Sequence, residues 1–596
     1  MMPFDLKECS RECGSECSAN LAGCPTYNRL PEPVQQLCQS KLYLLRYLHH
    51  LDQTGIALPE YHDKLTRSQS GKSPNILYQV DDDEFVHILP NPEDIRNHYI
   101  IVVPSLGEPT DGVLDALEER LADHVKNLEY DPEQGSLVNV LLELVDELVL
   151  VKGGKSADRT RTAAGKDNGE NGINTGQKKA GGMLKPGRKI KDRIVVTPVQ
   201  YQSLRHTLRC RLEGLGILEP MIRDPYIEDV SCSGVGNIFV EHKIFKGLKA
   251  SIGFQDCDEL DKFVIQLAES IKRPVTFRQP CVDASLPDGS RINIVYGVDV
   301  SKRGSNFTIR KFSQTPMSVI ELIQLGSLNY EMAAYLSLML QQGMNVWVSG
   351  ETASGKTTLL NALTAFVPPD AKIVSIEDTA EIQVPHPNWI RGVTRGTAND
   401  SKASEVSMFD LLKAALRQRP NLIIVGEIRG AEGAIAFQAM QTGHACMSTF
   451  HAASVTKLVQ RLTGNPISVP KTYVDNLNVV IIAQAVRLPN GRSVRRITSI
   501  NEIVGYDSVS DSFSFMEVFT WNPFEDAFIF KGHMNSFLLE EKIAPKLGVS
   551  HENIRKIYSE IKRRAEVLKK IQAQEITDFY NVYAVLSKAY REGLFR

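Results

Sequence analysis

Residues 345–365 constrain the fold of this chain more than any bulk property does. An apolar run, Asn345 to Val348, leads into Gly350, Glu351, Thr352, Ala353, Ser354, Gly355, Lys356 and Thr357, and a helical pattern follows from Lys356 to Ala365. The loop is a full G-x-x-x-x-G-K-[ST] match in strand–loop–helix context. Glycines let backbone N–H groups curl around a β-phosphate, and the helix N-terminus adds the positive end of its dipole. Lys356 is placed to reach the β- and γ-phosphates, and the Thr357 hydroxyl to ligate Mg²⁺. The expected ligand is therefore a nucleotide triphosphate.

From Asn345 onward the pattern of strand, glycine-rich turn, helix and strand repeats, as in a mostly parallel sheet flanked by helices. Three later apolar runs end in polar groups: Lys372–Asp378 in Glu377 and Asp378, Asn421–Arg429 in Glu427, and Gly443–His451 with a histidine at each end. In an α/β sheet the strand ends facing the nucleotide carry the catalytic groups. A polar residue closing one strand is commonly a cap, but three such ends after a phosphate loop point to a catalytic cluster. Spacing leaves open whether Glu377 or Glu427 is the base.

Glu377-Asp378-Thr379, Gly426-Glu427-Ile428-Arg429 and the stretch His444 to His451 resemble the Asp box, Walker B box and His box of the type II/IV secretion ATPase superfamily. The segments IVSIEDTAEI (373–382), LLKAALRQRPNLIIVGEIRG (411–430) and FQAMQTGHACMSTFHA (437–452) are particularly similar to its archaeal branch, the archaellum, type IV pilus and secretion motor ATPases. The similarity extends over about residues 200–596, and DGSRINIV (288–295) and FTIRKF (307–312) resemble the end of that family's preceding domain. The first ~190 residues are not covered.

The resemblance implies an α/β protein: a RecA-like P-loop ATPase domain preceded by a smaller α/β domain, with an N-terminal mixed region and a C-terminal helical region. It implies a homo-hexameric ring with ATP and Mg²⁺ held between lobes and ATP hydrolysed to ADP and phosphate. The expected partner is a membrane platform protein through which pilin-like filament subunits are assembled or secreted. Carried over by position, Gly350 through Thr358 bind the phosphates. Glu377 orients or deprotonates the attacking water, Glu427 supports Mg²⁺ or water, and His451 senses the γ-phosphate. Arg291 and Arg310 reach the phosphates from the preceding domain, with Arg391 and Arg395 as second choices. Gly426 stands where Walker B motifs usually carry an acid, as this family tends to have it. Archaellum rotation, pilus assembly and secretion are not separated by any residue here.

The other function class that such a core could serve is a conjugation-type or nucleic-acid translocating ATPase. With 68 Lys+Arg against 71 Asp+Glu, the formal charge is -3. That balance provides no basic stripe for a polynucleotide, so no nucleic acid is expected. Residues are 42% hydrophobic and 23% charged, ordinary globular usage. No run reaches the ~18 apolar residues of a membrane span. The nearest, Val138 to Val151, is interrupted by Glu143, Asp146 and Glu147 and reads as an amphipathic helix. The N-terminus lacks the apolar core of a signal peptide. The expected location is the cytoplasm, against the inner face of the cell membrane through a partner.

Composition divides the chain into a cysteine-rich segment (1–40), a mixed α/β accessory domain (41–151), a flexible basic linker (152–191), an α/β domain (192–313), the RecA-like domain (314–520) and a mainly helical end (521–596). The linker, rich in Gly, Lys, Asn and Thr, reads as a solvated tether. The polar stretch Gly396 to Glu405 reads as a surface loop. Five of the ten cysteines, Cys9, Cys13, Cys17, Cys24 and Cys38, fall in the first segment. A dense cluster in a cytosolic chain points to metal or redox chemistry before disulfides. Cys9, Cys13, Cys17 and Cys24, with Cys38 able to replace one, are the expected ligands of zinc or an iron–sulfur cluster; an unligated thiol-rich tail is the alternative. Cys210, Cys232, Cys257, Cys281 and Cys446 read as small buried hydrophobes.

Overall fold

Apolar runs draw this chain into two large sheets, one in each of two units, Met1–Phe312 and Ser313–Arg596. The computed structural model describes residues 24–66, 69, 74–106, 111–125, 137–152, 193–312, 315–395, 406–489 and 491–593. Cys9, Cys13, Cys17, the loop 396–405 and all of the expected linker except Lys152 lie outside the described residues.

In the first unit the strands are β1 (Glu60–His62), β2 (Ile76–Asp81), β3 (Glu84–Leu89), β4 (His98–Val102), β5 (Val149–Val151), β6 (Ile194–Val196), β7 (Ile227–Cys232), β8 (Gly236–His242), β9 (Lys246–Phe254), β10 (Cys281–Ser285), β11 (Arg291–Val295) and β12 (Asn306–Arg310). Ten form one sheet, ordered β1-β2-β3-β4-β9-β8-β7-β12-β11-β10. The strands before and after the basic stretch join where β4 pairs in parallel with β9 through His98–Lys249 and Tyr99–Ala250. Strand periodicity of two accounts for the burial. Phe85, Leu89, Ile100 and Val102 pack with the helices Glu32–Ser40 and Leu42–Gln53, while Val86, Ile88, Tyr99 and Ile101 join the core of β7 to β12.

The expected helix to Val151 ends at Leu148. Val149, Leu150 and Val151 are extended instead, two of the three β-branched, and pair in parallel with Ile194–Val196. Helices Asp111–Val125, Leu137–Leu148 and Pro198–Glu213 share a further apolar cluster with this pair. Cys24 and Cys38 are buried among Tyr27, Leu44 and Leu48, and burial together with the nearby Cys24 pushes the Cys38 thiol up to about 12. Of the scattered cysteines, Cys210, Cys232 and Cys446 are buried, whereas Cys257 is half-buried and Cys281 exposed. Cys281 opens β10, which ends the sheet and has a partner strand on one side only.

The second unit holds β13 (Val346–Gly350), β14 (Ile373–Glu377), β15 (Trp389–Val393), β16 (Leu422–Glu427), β17 (Ala445–Phe450), β18 (Val479–Arg487), β19 (Ser493–Asp507), β20 (Ser512–Asn522) and β21 (Ala527–Phe530). Their order is β15-β14-β16-β17-β13-β18-β19-β20-β21. Pairing is parallel from β15 to β18 and antiparallel beyond it. The central strands are covered on both faces, which is why they read as continuous apolar runs. Val346, Val348, Leu422 and Ile424 face the helices Tyr330–Gln341 and Lys356–Thr364 and the C-terminal pair Ile557–Ala573 and Phe579–Arg591. Trp347, Val374, Ile423 and Val425 face Met408–Arg417, Glu432–Gln441 and Val455–Thr463. The sheet runs on to Phe530, so the helical end begins later than residue 521. Among the described residues, no helix is long and apolar enough to cross a membrane.

Candidate nucleotide site

Parallel strands place their C-terminal ends on one edge of the sheet, and there β13, β14, β16 and β17 deliver the phosphate loop, Glu377, Glu427 and His451 in turn. The loop needs unusual backbone. Ala353 has φ +58° and Gly355, which starts the helix Lys356–Thr364, has φ +90°. Gly350 is required by close approach: a Cβ there would stand 2.1 Å from the Ala483 carbonyl oxygen on β18 and 2.7 Å from Ser354 Oγ. Gly350→Ala is therefore expected to shift the loop against β18, costing ~1–3 kcal/mol. Thermal unfolding and nucleotide titration of that variant check it; both should fall.

Lys356 is mostly buried and its Nζ donates to the Glu351 carbonyl at 2.8 Å, so the loop closes on its own lysine. Burial pulls the Lys356 pKa down and the nearby Glu427 pulls it back up. The same ammonium lies 3.4 Å from His451 Nδ1, and His451 Nε2 lies 2.7 Å from Glu427 Oε1. Burial lowers the His451 pKa, favouring the neutral ring. With Nδ1 accepting from Lys356, the neutral ring carries its proton on Nε2, on the Glu427 side, although Glu427 Oε1 forms no hydrogen bond among the described residues. Arg429 closes the chain by donating to Glu427 Oε2 at 2.5 Å.

Glu377 is held differently. It is 2% exposed, and its Oε1 accepts the backbone N–H groups of Ile382 at 2.6 Å and Glu381 at 2.7 Å. Its Oε2 is buried without a hydrogen-bond partner among the described residues; Arg391 Nε stands 3.5 Å away, near enough to attract but beyond a well-formed bond. Burial raises the Glu377 pKa to about 7, against the opposing pull of the two N–H groups and Arg391. A carboxyl anchored through one oxygen, with the other unpartnered and a pKa near neutrality, has the make-up of a general base. The Glu377 side chain also explains Gly426, where a Cβ would come within 3.2 Å of Glu377 Cγ.

Of the residues expected from sequence, the structure brings together Gly350 to Thr358, Glu377, Glu427 and His451. Arg391 joins them through Glu377, packing its guanidinium 5.3 Å from the Trp389 ring centroid. His444 precedes β17 and so lies at the opposite edge, 3.1 Å from Thr442 Oγ1. Arg395 follows β15 in an isolated bridge with Val406. Arg291 and Arg310 belong to the first unit, where they are direct cross-strand partners on β11 and β12 and so share one face of that sheet. Three arginines given no role from the sequence also reach the site. Arg429 stands two residues past Glu427 and was visible as part of its motif. Arg495 Nε donates to the Ala353 carbonyl at 3.0 Å, and Arg461 donates to the His451 carbonyl. Nothing local marks these two, because β19 and the helix Val455–Thr463 reach the loop only through the fold.

A phosphate loop at the carboxyl edge of a parallel sheet, with acidic residues on adjoining strand ends, defines a P-loop nucleotide-binding α/β protein. The family model described as type II/IV secretion system protein matches residues 211–504. An uncharacterized protein of Methanocaldococcus jannaschii is 43% identical over 556 residues, covering 93% of this chain and 96% of that protein. The type IV secretion system protein PtlH of Bordetella pertussis is 31% identical over 271 residues, covering 42% of this chain and 79% of PtlH. The solved structure of the VirB11 ATPase from the Brucella suis type IV secretion system is 24% identical, covering 50% of this chain and 94% of that one, with a TM-score of 0.25. The chain belongs to the type II/IV secretion system protein family.

Proposed function

We propose that this chain is a Mg²⁺-dependent ATP hydrolase that works as a ring of six subunits and drives assembly or secretion of pilin-like subunits through a membrane platform protein. The observation that carries the hydrolase reading is a phosphate loop flanked by two unlike carboxylates on neighbouring strand ends, Glu377 anchored by backbone donors and near neutrality, Glu427 beside His451 and Arg429. The residues suit the ligand: the loop holds Gly355 at φ +90° at the start of the helix Lys356–Thr364, and Glu377 Oε2 is a buried oxygen with no hydrogen-bond partner among the described residues. Thr357 and Glu427 would hold Mg²⁺, which supplies charge neutralisation at the transferring phosphoryl group.

In this reading Lys356 leaves the Glu351 carbonyl to hold phosphate oxygens. Glu377 Oε2 accepts the proton of the attacking water, while its two backbone donors keep the carboxylate in place. His451 transmits to Glu427 whether Lys356 is engaged with phosphate. Arg291 and Arg310 would bring positive charge to the γ-phosphoryl oxygens on closure.

Steady-state ATP hydrolysis by the full chain tests the proposal. Turnover per subunit should rise with protein concentration as rings form, and single-stranded DNA should leave it unchanged. Several-fold stimulation by DNA would favour a nucleic-acid translocase instead. Arg291→Ala and Arg310→Ala should each lower kcat by ~10-fold or more while nucleotide affinity changes little, since the contact forms on closure. Parent-like turnover in both would remove these arginines from the mechanism.

A further inference from the structure

In the first unit, away from every residue assigned above, Glu84, His206 and Cys210 bring one ligand atom each to within 4.8 Å of one another. His206 and Cys210 lie one helical turn apart on the helix Pro198–Glu213 and so share a face, a spacing suited to two ligands of one ion. Glu84 opens β3, at the tight turn from β2. We propose that Glu84, His206 and Cys210 form a three-ligand site for a divalent cation of the zinc class, its fourth position filled by water.

The distances carry the assignment. His206 Nε2 is 3.1 Å from Glu84 Oε1, Cys210 Sγ is 3.7 Å from His206 Nε2, and Cys210 Sγ is 3.9 Å from Glu84 Oε1. Bonds of ~2.0 Å to nitrogen and oxygen and ~2.3 Å to sulfur, at tetrahedral angles, give ligand–ligand edges of about 3.3 Å between N and O and about 3.5 Å to sulfur. All three separations are within a few tenths of an ångström of those edges. The donor set of one thiolate, one imidazole and one carboxylate suits zinc better than the hard cations Mg²⁺ and Ca²⁺, which take oxygen.

The ligands are buried. Glu84 is 1% exposed and His206 10%. Glu84 Oε2 is buried and has no hydrogen-bond partner among the described residues, a cost that a cation held by both carboxylate oxygens would remove. Arg223 lies 2.8 Å from Glu84 Oε1 but also 3.3 Å from Asp81 and 3.2 Å from Glu219. Arg209 lies 3.8 Å from Asp81. A dipositive ion with the two arginines would be balanced by Glu84, Asp81, Glu219 and a Cys210 thiolate, whose proton passes to solvent on binding. The ion would tie the β2–β3 hairpin to the helix Pro198–Glu213, which the chain reaches only after the residues between β5 and β6.

The test uses the full chain carrying Cys9→Ser, Cys13→Ser and Cys17→Ser, so that metal on the N-terminal cysteines cannot be mistaken for this site. Purified protein dialysed against zinc should retain about one equivalent by elemental analysis, and the cobalt-loaded form should show thiolate-to-cobalt absorption with the intense visible bands of tetrahedral coordination. Adding Cys210→Ser should abolish the thiolate band and most of the zinc. Adding Glu84→Gln, which keeps shape and removes charge, should weaken zinc at least ~10-fold. Circular dichroism on each variant establishes that it is folded; should Cys210→Ser unfold, His206→Gln at the more accessible ligand gives the same readout. Retention of less than a fifth of an equivalent, or a cobalt spectrum unchanged by Cys210→Ser, would overturn the assignment and leave the cluster as an ion-pair network around Arg223.

Discussion

Glu377→Gln is expected to leave nucleotide affinity within a few-fold of the parent and to lower kcat by ~10²–10⁴, the usual worth of a positioned base. The amide keeps the shape and can still accept the N–H groups of Glu381 and Ile382 through its oxygen, so the loop after β14 stays in place. What is lost is an oxygen able to take a proton. Equilibrium titration with a slowly hydrolysed ATP analogue, alongside steady-state turnover, separates the two effects.

The pH dependence gives a second signature. With burial holding Glu377 at about 7, the base is ionised above that pH and protonated below it. Parent kcat should therefore level off on the alkaline side and fall ~10-fold per unit on the acid side, and Glu377→Gln should lose that limb. The stability effect has the opposite sense. A carboxyl raised above its unfolded value stabilises the fold at low pH, and that contribution is lost as pH rises through about 7. Glu377→Gln should thus melt no lower than the parent at pH 8. Normal turnover in this variant would transfer the base to Glu427.

Lys356→Ala is expected to abolish measurable hydrolysis and to weaken ATP binding by ~100-fold or more, because its ammonium is the charge placed on the β- and γ-phosphates. The fold should persist. The contacts Lys356 makes are to the Glu351 carbonyl and to His451, and neither belongs to the packed core. Lys356→Arg should not restore activity, since a planar fork cannot occupy the position of a compact ammonium inside a closed loop. Nucleotide titration and circular dichroism on both variants check these outcomes. Unimpaired ATP binding by Lys356→Ala would mean that the loop does not hold the triphosphate.

The phosphate loop was legible because its chemistry is local. Two glycines, one lysine and one threonine within eight residues meet the demands of a phosphate, whatever surrounds them. The strands β14, β16 and β17 were legible because burial on both faces makes each a continuous apolar run, and a polar residue at its end stands out.

Tertiary structure alone decided the rest. Sequence spacing could not rank Glu377 against Glu427, because both close apolar strands. Their difference lies in surroundings: Glu377 is sealed beneath two backbone donors, while Glu427 sits 20% exposed between Arg429 and His451. Arg495 meets the loop because β19 runs antiparallel beside β18, bringing together positions 142 apart in sequence. The same holds for Glu84 and Cys210, 126 residues apart and on opposite sides of the basic stretch. Local sequence carries propensity, periodicity and motif; ionisation and coordination depend on burial and on partners, which long-range packing supplies.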